Sequence, residues 1–145
     1  MAKHFVLGHV VLNVSSLARS VPFYRDVLGL REVARRADMV FFSFGANHHD
    51  IALREVPGAA PFDPRAVGLL HLAICIGTRL DELRDWKAHL QQRSVGILRA
   101  RDHRVSQSIY FQDPDGIVIE AYVDGDPSIW RDDPSAVATI LPFEL

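Results

Sequence analysis

The sequence predicts an α+β fold of two tandem βαβββ modules, and three observations carry that prediction. Strand-like and helix-like runs follow one another in the order β-α-β-β-β twice over. A Pro- and Gly-punctuated stretch, VPGAAPFDPRAVG at residues 56–68, separates the two series. HVVLNV at residues 9–14 then returns as HLAICI at residues 71–76, so that His9 and His71 occupy equivalent places. One repetition of a unit this long indicates two paired modules, about residues 4–56 and 69–124, and not a solenoid. Residues 125–145 form a tail without clear periodicity.

In the first module, residues 5–14 alternate and are rich in Val and Leu, which reads as a buried strand ended by Ser15 and Ser16. Leu17, Val21, Tyr24 and Leu28 fall at helical spacing, with Ser16 as N-cap and Gly29 as C-cap. Pro22 is expected in the first turn or two, where its missing N–H costs little. Strands are predicted at residues 30–35, 39–44 and 49–56, with a turn over 45–48. The second module begins with the strand LLHLAICI at 69–76. A helix follows, with Thr78 as N-cap and Leu80, Leu83, Lys87 and Leu90 on one face, widened by Trp86. Strands at 95–99, 107–111 and 117–123 complete it, and Asp113, Pro114, Asp115 and Gly116 form the turn before the last.

Composition narrows the function classes. With 145 residues, 48% of them hydrophobic and 23% charged, the chain suits a single ordinary globular domain with a real core. A net charge of −2, without a basic block, argues against nucleic acid as a partner. No apolar run is long enough to span a membrane, and the N-terminal run is too short for a secretory signal. The lone Cys75 lies in an apolar run and is expected to be a buried structural thiol; it points to a reducing, cytoplasmic setting.

Polar residues inside strands need a reason. His9 and His71 sit at equivalent positions of the repeat, and Glu120 interrupts the last strand, IVIEAYV. Each taken alone is most simply a hydrogen-bonded core histidine or an outward carboxylate. Together, two imidazoles and one carboxylate at symmetry-consistent positions make a facial triad for a divalent metal, with the curved sheet as a cup around it. His4 and His89 have no partner pattern, and the basic stretch 31–36 reads as a solvated strand edge.

The strings GHVVLNVSSLARSVPFYRDVLGL, HHDIAL, GLLHLAI and DHRVSQSIYFQDPDGIVIEAYVD together resemble the vicinal oxygen chelate superfamily, which includes glyoxalase I, fosfomycin resistance proteins, bleomycin-binding proteins and extradiol dioxygenases. The resemblance implies His9, His71 and Glu120 as metal ligands. Glyoxalase I adds a fourth ligand that would fall near Ala52, and alanine cannot ligate. The similarity to type I extradiol catechol dioxygenases implies Fe(II), with Mn(II) as the alternative, and ring cleavage of a catechol-like substrate by O₂. It further implies His49 as acid and base toward oxygen, and Tyr110 and His103 beside the substrate. Most such enzymes carry two module pairs, whereas this chain has one. A homodimer is expected.

Strict alternation from Ala52 would turn Asp50 inward and not His49, unless the backbone bends between Asn47 and Asp50. Which of His48 and His49 faces the metal is therefore open. Alternative functions are a glyoxalase-like isomerase or thiol transferase of the same superfamily, or a metal-free protein that sequesters an aromatic drug. Thiol transfer to a phosphonate should need convergent Lys and Arg near the metal, and neither lysine, Lys3 or Lys87, lies in a predicted strand of the cup.

Overall fold

The computed structural model describes residues 5–145, which leaves His4 and Lys3 outside the described residues. The chain divides into two compact units, Met1–Pro61 and Phe62–Leu145.

In the first unit the elements run β1 (Val10–Val14), α1 (Leu17–Pro22), β2 (Arg31–Arg36), β3 (Met39–Ser43) and β4 (Ile51–Glu55). The sheet order is β1-β4-β3-β2, with β1 parallel to β4 and the remaining pairs antiparallel. Leu12, Leu53 and Val40 stand in register and are buried, and Phe42 on the same face meets the Tyr24 ring at 6.2 Å. The core of the unit therefore lies between this face and the helix. Alternation leaves Val11, Ala52 and Phe41 in register on the opposite face.

Three expectations change here. The strand predicted over 5–14 begins only at Val10, because its partner is available only from Asp50 onward: Val10 N–H donates to Asp50 O at 2.9 Å, whereas residues 45–48 lie in bends. Phe5, Val6 and Leu7 are exposed. Pro22 ends α1 instead of opening it. Lacking an N–H, it cannot continue the i→i+4 ladder, and the backbone widens into a π turn (Phe23–Val27) in which Leu28 N–H donates to Phe23 O at 3.0 Å. Ser16 is extended at the N-cap, but the carboxylate of Glu55 caps the helix, accepting from Leu17 N–H at 2.6 Å. Gly29 does close the helix, at φ +73°, with Leu30 N–H returning to Tyr24 O.

The second unit repeats the plan with β5 (Leu72–Gly77), α2 (Leu80–Gln92), β6 (Arg99–Asp102), β7 (Ser106–Gln112) and β8 (Val118–Asp124). A short helix α3 (Ser128–Asp132), a 3-10 turn (Pro134–Ala138) and β9 (Leu141–Pro142) follow. The order β5-β8-β7-β6-β9 reproduces β1-β4-β3-β2 with one strand added from the tail, and β5 is again parallel to β8. Both units thus have the predicted α+β form. Leu83 and Leu90 of α2 are fully buried, as are Ile109, Phe111 and Ile119 of the sheet against which α2 packs.

The N-cap of α2 is Arg79 and not Thr78, and the Glu82 carboxylate accepts from both of their N–H groups at 2.9 Å. The strand predicted at 95–99 starts at Arg99. Ser94 turns left-handed at φ +59° and Val95 N–H closes back on Leu90 O, so the helix end consumes these residues first. Cys75 is exposed, not buried: β5 alternates, and Cys75 stands on the face away from α2, its Sγ 3.4 Å from Gly77 O. No helix among the described residues is long and apolar enough to cross a membrane.

Candidate functional site

The second unit gathers four of the six predicted site residues. Ile109, Phe111, Ile119 and Ala121 fill the face beneath α2, so alternation sends Ser108, Tyr110 and Glu120 to the other face. Tyr110 stands directly opposite Glu120, and Ala73 flanks Glu120 on its other side. His71, two residues before Ala73, brings Nε2 to 3.0 Å from Glu120 Oε2. The Ser108 hydroxyl donates to Oε1 at 2.5 Å. Glu120 is only 7% exposed, and these two contacts engage both of its oxygens, as a buried carboxylate requires.

Tyr110 links this pair to His103. Its ring meets His71 edge-on, with centroids 5.7 Å apart, and its hydroxyl lies 3.0 Å from His103 Nε2. His103 Nδ1 is 2.8 Å from Thr139 O. A carbonyl can only accept, so Nδ1 carries a proton, and in the neutral ring Nε2 accepts from Tyr110. Burial, reinforced by the negative charge of Glu120, pushes the Tyr110 hydroxyl up to about 12, so it remains a donor at neutral pH. The Arg99 guanidinium carbon sits 4.2 Å above the Tyr110 ring.

His9 and His49 belong to the first unit. His9 is exposed immediately before β1, and the His49 ring packs on it with centroids 4.3 Å apart. His49 also meets Phe41 edge-on at 5.4 Å, and Phe41 is the cross-strand partner of Ala52. The conflict over parity disappears because the chain bends between Asn47 and Asp50. Asp50 accepts from Phe44 N–H and from Asn47 Nδ2, each at 2.7 Å, and Ser43 Oγ donates to Asn47 O. The side chain of Asp50 is thereby used to close the loop, and β4 starts only after it. His48 is exposed, with Nδ1 2.6 Å from His49 Nδ1. Desolvation holds the His49 imidazole below its ordinary range, with the nearby His9 and His48 adding to the effect.

Two donors bound about 2.1 Å from an octahedral ion at adjacent positions lie about 3 Å apart, and His71 Nε2 and Glu120 Oε2 have that spacing. The pair fits two cis ligands of a divalent metal. Among the described residues no group of three or more His, Cys, Asp or Glu side chains is arranged to hold a metal ion. His89 stacks on Trp86 along α2, with Arg93 Nη1 3.0 Å from its Nδ1. Ser108, Arg99 and the Thr139 carbonyl escaped the sequence reading. Of these only Ser108 left a signal, as a polar residue two positions before Tyr110 and therefore on the same face of the strand.

Residues 6–121 match the Glyoxalase/Bleomycin resistance protein/Dioxygenase superfamily. The chain belongs to this superfamily. Among superfamily relatives, it is 33% identical over 120 residues to biphenyl-2,3-diol 1,2-dioxygenase 3 of Rhodococcus globerulus, covering 81% of this chain and 63% of that protein. The chain thus spans less than two thirds of that dioxygenase. It is 31% identical over 118 residues to metallothiol transferase FosB of Staphylococcus epidermidis, covering 80% of this chain and 81% of the transferase. Among solved structures of the superfamily, a glyoxylase/bleomycin resistance protein/dioxygenase domain from Frankia sp. EAN1pec superposes with a TM-score of 0.74 at 24% identity, covering 86% of this chain and 96% of that domain. That likeness bears on the fold alone.

Proposed function

We propose that the chain is an Fe(II)-dependent extradiol dioxygenase that cleaves a catechol-like ring beside its two hydroxyls, with His9, His71 and Glu120 ligating one divalent metal per chain. The observation that carries this reading is the array His71, Glu120, Tyr110 and His103 on one sheet face, a buried carboxylate–imidazole pair next to a tyrosine–imidazole pair. The dioxygenase relative supports it, as does Ala52, which offers no fourth ligand. Iron, when bound, brings both vicinal oxygens of a catechol and O₂ together, so that electrons can pass from the ring to oxygen.

The side chains supply binding and proton handling. The Tyr110 oxygen, which donates to His103, has lone pairs left to accept from a substrate hydroxyl. A proton leaving that hydroxyl passes to Tyr110 as the tyrosine proton passes to His103 Nε2. Thr139 O holds His103 in the tautomer that can accept it. His49, desolvated and low in basicity, gives up a proton readily and acts as acid and base toward the oxygen side.

The test is oxygen uptake by Fe(II)-loaded protein with a panel of catechols, alongside the appearance of a yellow semialdehyde. A second reading, metal-dependent thiol transfer to a phosphonate, gains support from two arginines, Arg99 and Arg101, on the face that bears Glu120, and from the share of FosB that the chain covers. The expectation based on lysines alone overlooked these cations. If no catechol consumes oxygen while a thiol is added to an epoxyphosphonate, the transferase reading replaces the dioxygenase; turnover of methylglyoxal with a thiol would favour the isomerase.

A further inference from the structure

Arg99 stands opposite Tyr110, and Arg101 opposite Ser108, in the antiparallel register of β6 and β7. Directly opposed residues share a face, so both guanidinium groups lie on the side that carries Glu120. Ala100 between them pairs with Ile109, on the helix-covered side. Arg25, Arg35, Arg36, Arg65 and Arg79 each sit against a carboxylate nearby in sequence. Among the described residues no such pair involves Arg99 or Arg101. Arg99 is held by the Tyr110 π-face, which orients a guanidinium without neutralising it. Arg101 commits Nη1 to Ala100 O at 2.9 Å. Of the carboxylates on their face, Glu120 has both oxygens taken by His71 and Ser108, and Asp124 stands opposite Ser106 at the end of β8, with Cys75 Sγ 3.7 Å from its Oδ2. Two oriented, uncompensated cations beside a candidate substrate-binding tyrosine call for an anion from outside the chain, and the planar fork of a guanidinium matches an oxyanion.

We propose that Arg99, aided by Arg101, sets specificity by binding a carboxylate carried on the substrate ring. The inference rests on the ring-cleavage reading and names its substrate class: a dihydroxyarene carboxylate. Charge-assisted hydrogen bonds of this kind predict that the Fe(II)-loaded enzyme prefers 3,4-dihydroxybenzoate to catechol in kcat/KM by roughly tenfold to a hundredfold. The preference should reside in KM. Arg99→Met should bring the ratio close to one, Arg99→Lys should restore part of it, and Arg84→Met, at an exposed position of α2, should keep the wild-type ratio.

Calorimetry supplies a readout without turnover, with benzoate and methylphosphonate titrated into the protein as purified. Benzoate binding that is lost in Arg99→Met, without oxygen uptake from any catechol, would sustain the anchor and overturn ring cleavage. Ring cleavage with a ratio near one, or with the wild-type ratio persisting in Arg99→Met, would overturn the anchor and leave ring cleavage standing. Binding of methylphosphonate in clear preference to benzoate would overturn the carboxylate assignment in favour of the transferase reading. Neither binding nor uptake would overturn both.

Discussion

His48 and His49 are adjacent in sequence, yet the fold uses them differently. The His49 ring is enclosed by His9 on one side and Phe41 on another, while His48 remains exposed. If His49 moves a proton in the oxygen chemistry, His49→Phe should retain bound metal and substrate but slow turnover on the order of 10²-fold, the scale of losing a general acid or base. His48→Phe should cost little. Steady-state kinetics on metal-verified protein decides, and a slow His48→Phe beside a normal His49→Phe would reverse the assignment. A companion test lies at Glu120: Glu120→Gln should lose stoichiometric metal by elemental analysis while keeping its circular dichroism, and full metal occupancy would remove Glu120 from the ligand set. Glu120 and His71 were legible in the sequence because a carboxylate and an imidazole in apolar runs stand out, although β5 begins only at Leu72 and His71 precedes it. Arg99 and Arg101 were not, because the alternating charged residues of RARD read as an ordinary solvated face; only the register shows which neighbours they meet.

Helix ends were the least legible part of the elements, because the groups that cap them come from places the local pattern does not reveal. Glu55 caps α1 from a strand 38 residues downstream. In the second unit the same task falls to Glu82, and its seat depends on Gly77. A Cβ at Gly77 would lie 2.2 Å from Glu82 Oε2, closer than any nonbonded contact allows, although the Gly77 backbone itself needs no glycine. Gly77→Ala should therefore act by displacing the cap. Gly77→Ala and Glu82→Ala are each expected to destabilise by about 1–2 kcal/mol, the usual cost of losing an N-cap. Because both remove one interaction, the double variant should cost scarcely more than the larger single change. Denaturant melts of the four proteins test this, and simple additivity would show that the alanine methyl harms something other than the cap. The apolar periodicity located α2 correctly, since Leu83 and Leu90 face the sheet, but it could not reveal the Ser94 turn that delays β6 to Arg99.

At the scale of the whole molecule, the repeated order of strands was readable because two copies of one pattern confirm each other, and the structure repeats one sheet plan in both units. The tail was not readable: β9 has two residues, and what the tail adds beside Tyr110 and His103 is a backbone carbonyl, Thr139 O at the end of the 3-10 turn, that no side-chain pattern encodes. The proposed ligands come from both halves of the sequence, and this makes stability a measure of the ligand set. An ion that binds only the folded chain stabilises it by about 2.7 kcal/mol at a free concentration a hundredfold above its Kd. For a chain of this size that corresponds to a rise in Tm of roughly 5–10 °C. Scanning calorimetry under nitrogen, with and without Fe(II), should show this rise in the wild type, and His9→Ala and Glu120→Ala should each abolish it. A rise that persists in His9→Ala but vanishes in Glu120→Ala would assign the metal to the second unit and its His71–Glu120 pair, and would strike His9 from the ligands. The melting curves judge the ligands by linkage alone, so they hold whether the bound metal goes on to cleave rings or transfer thiols.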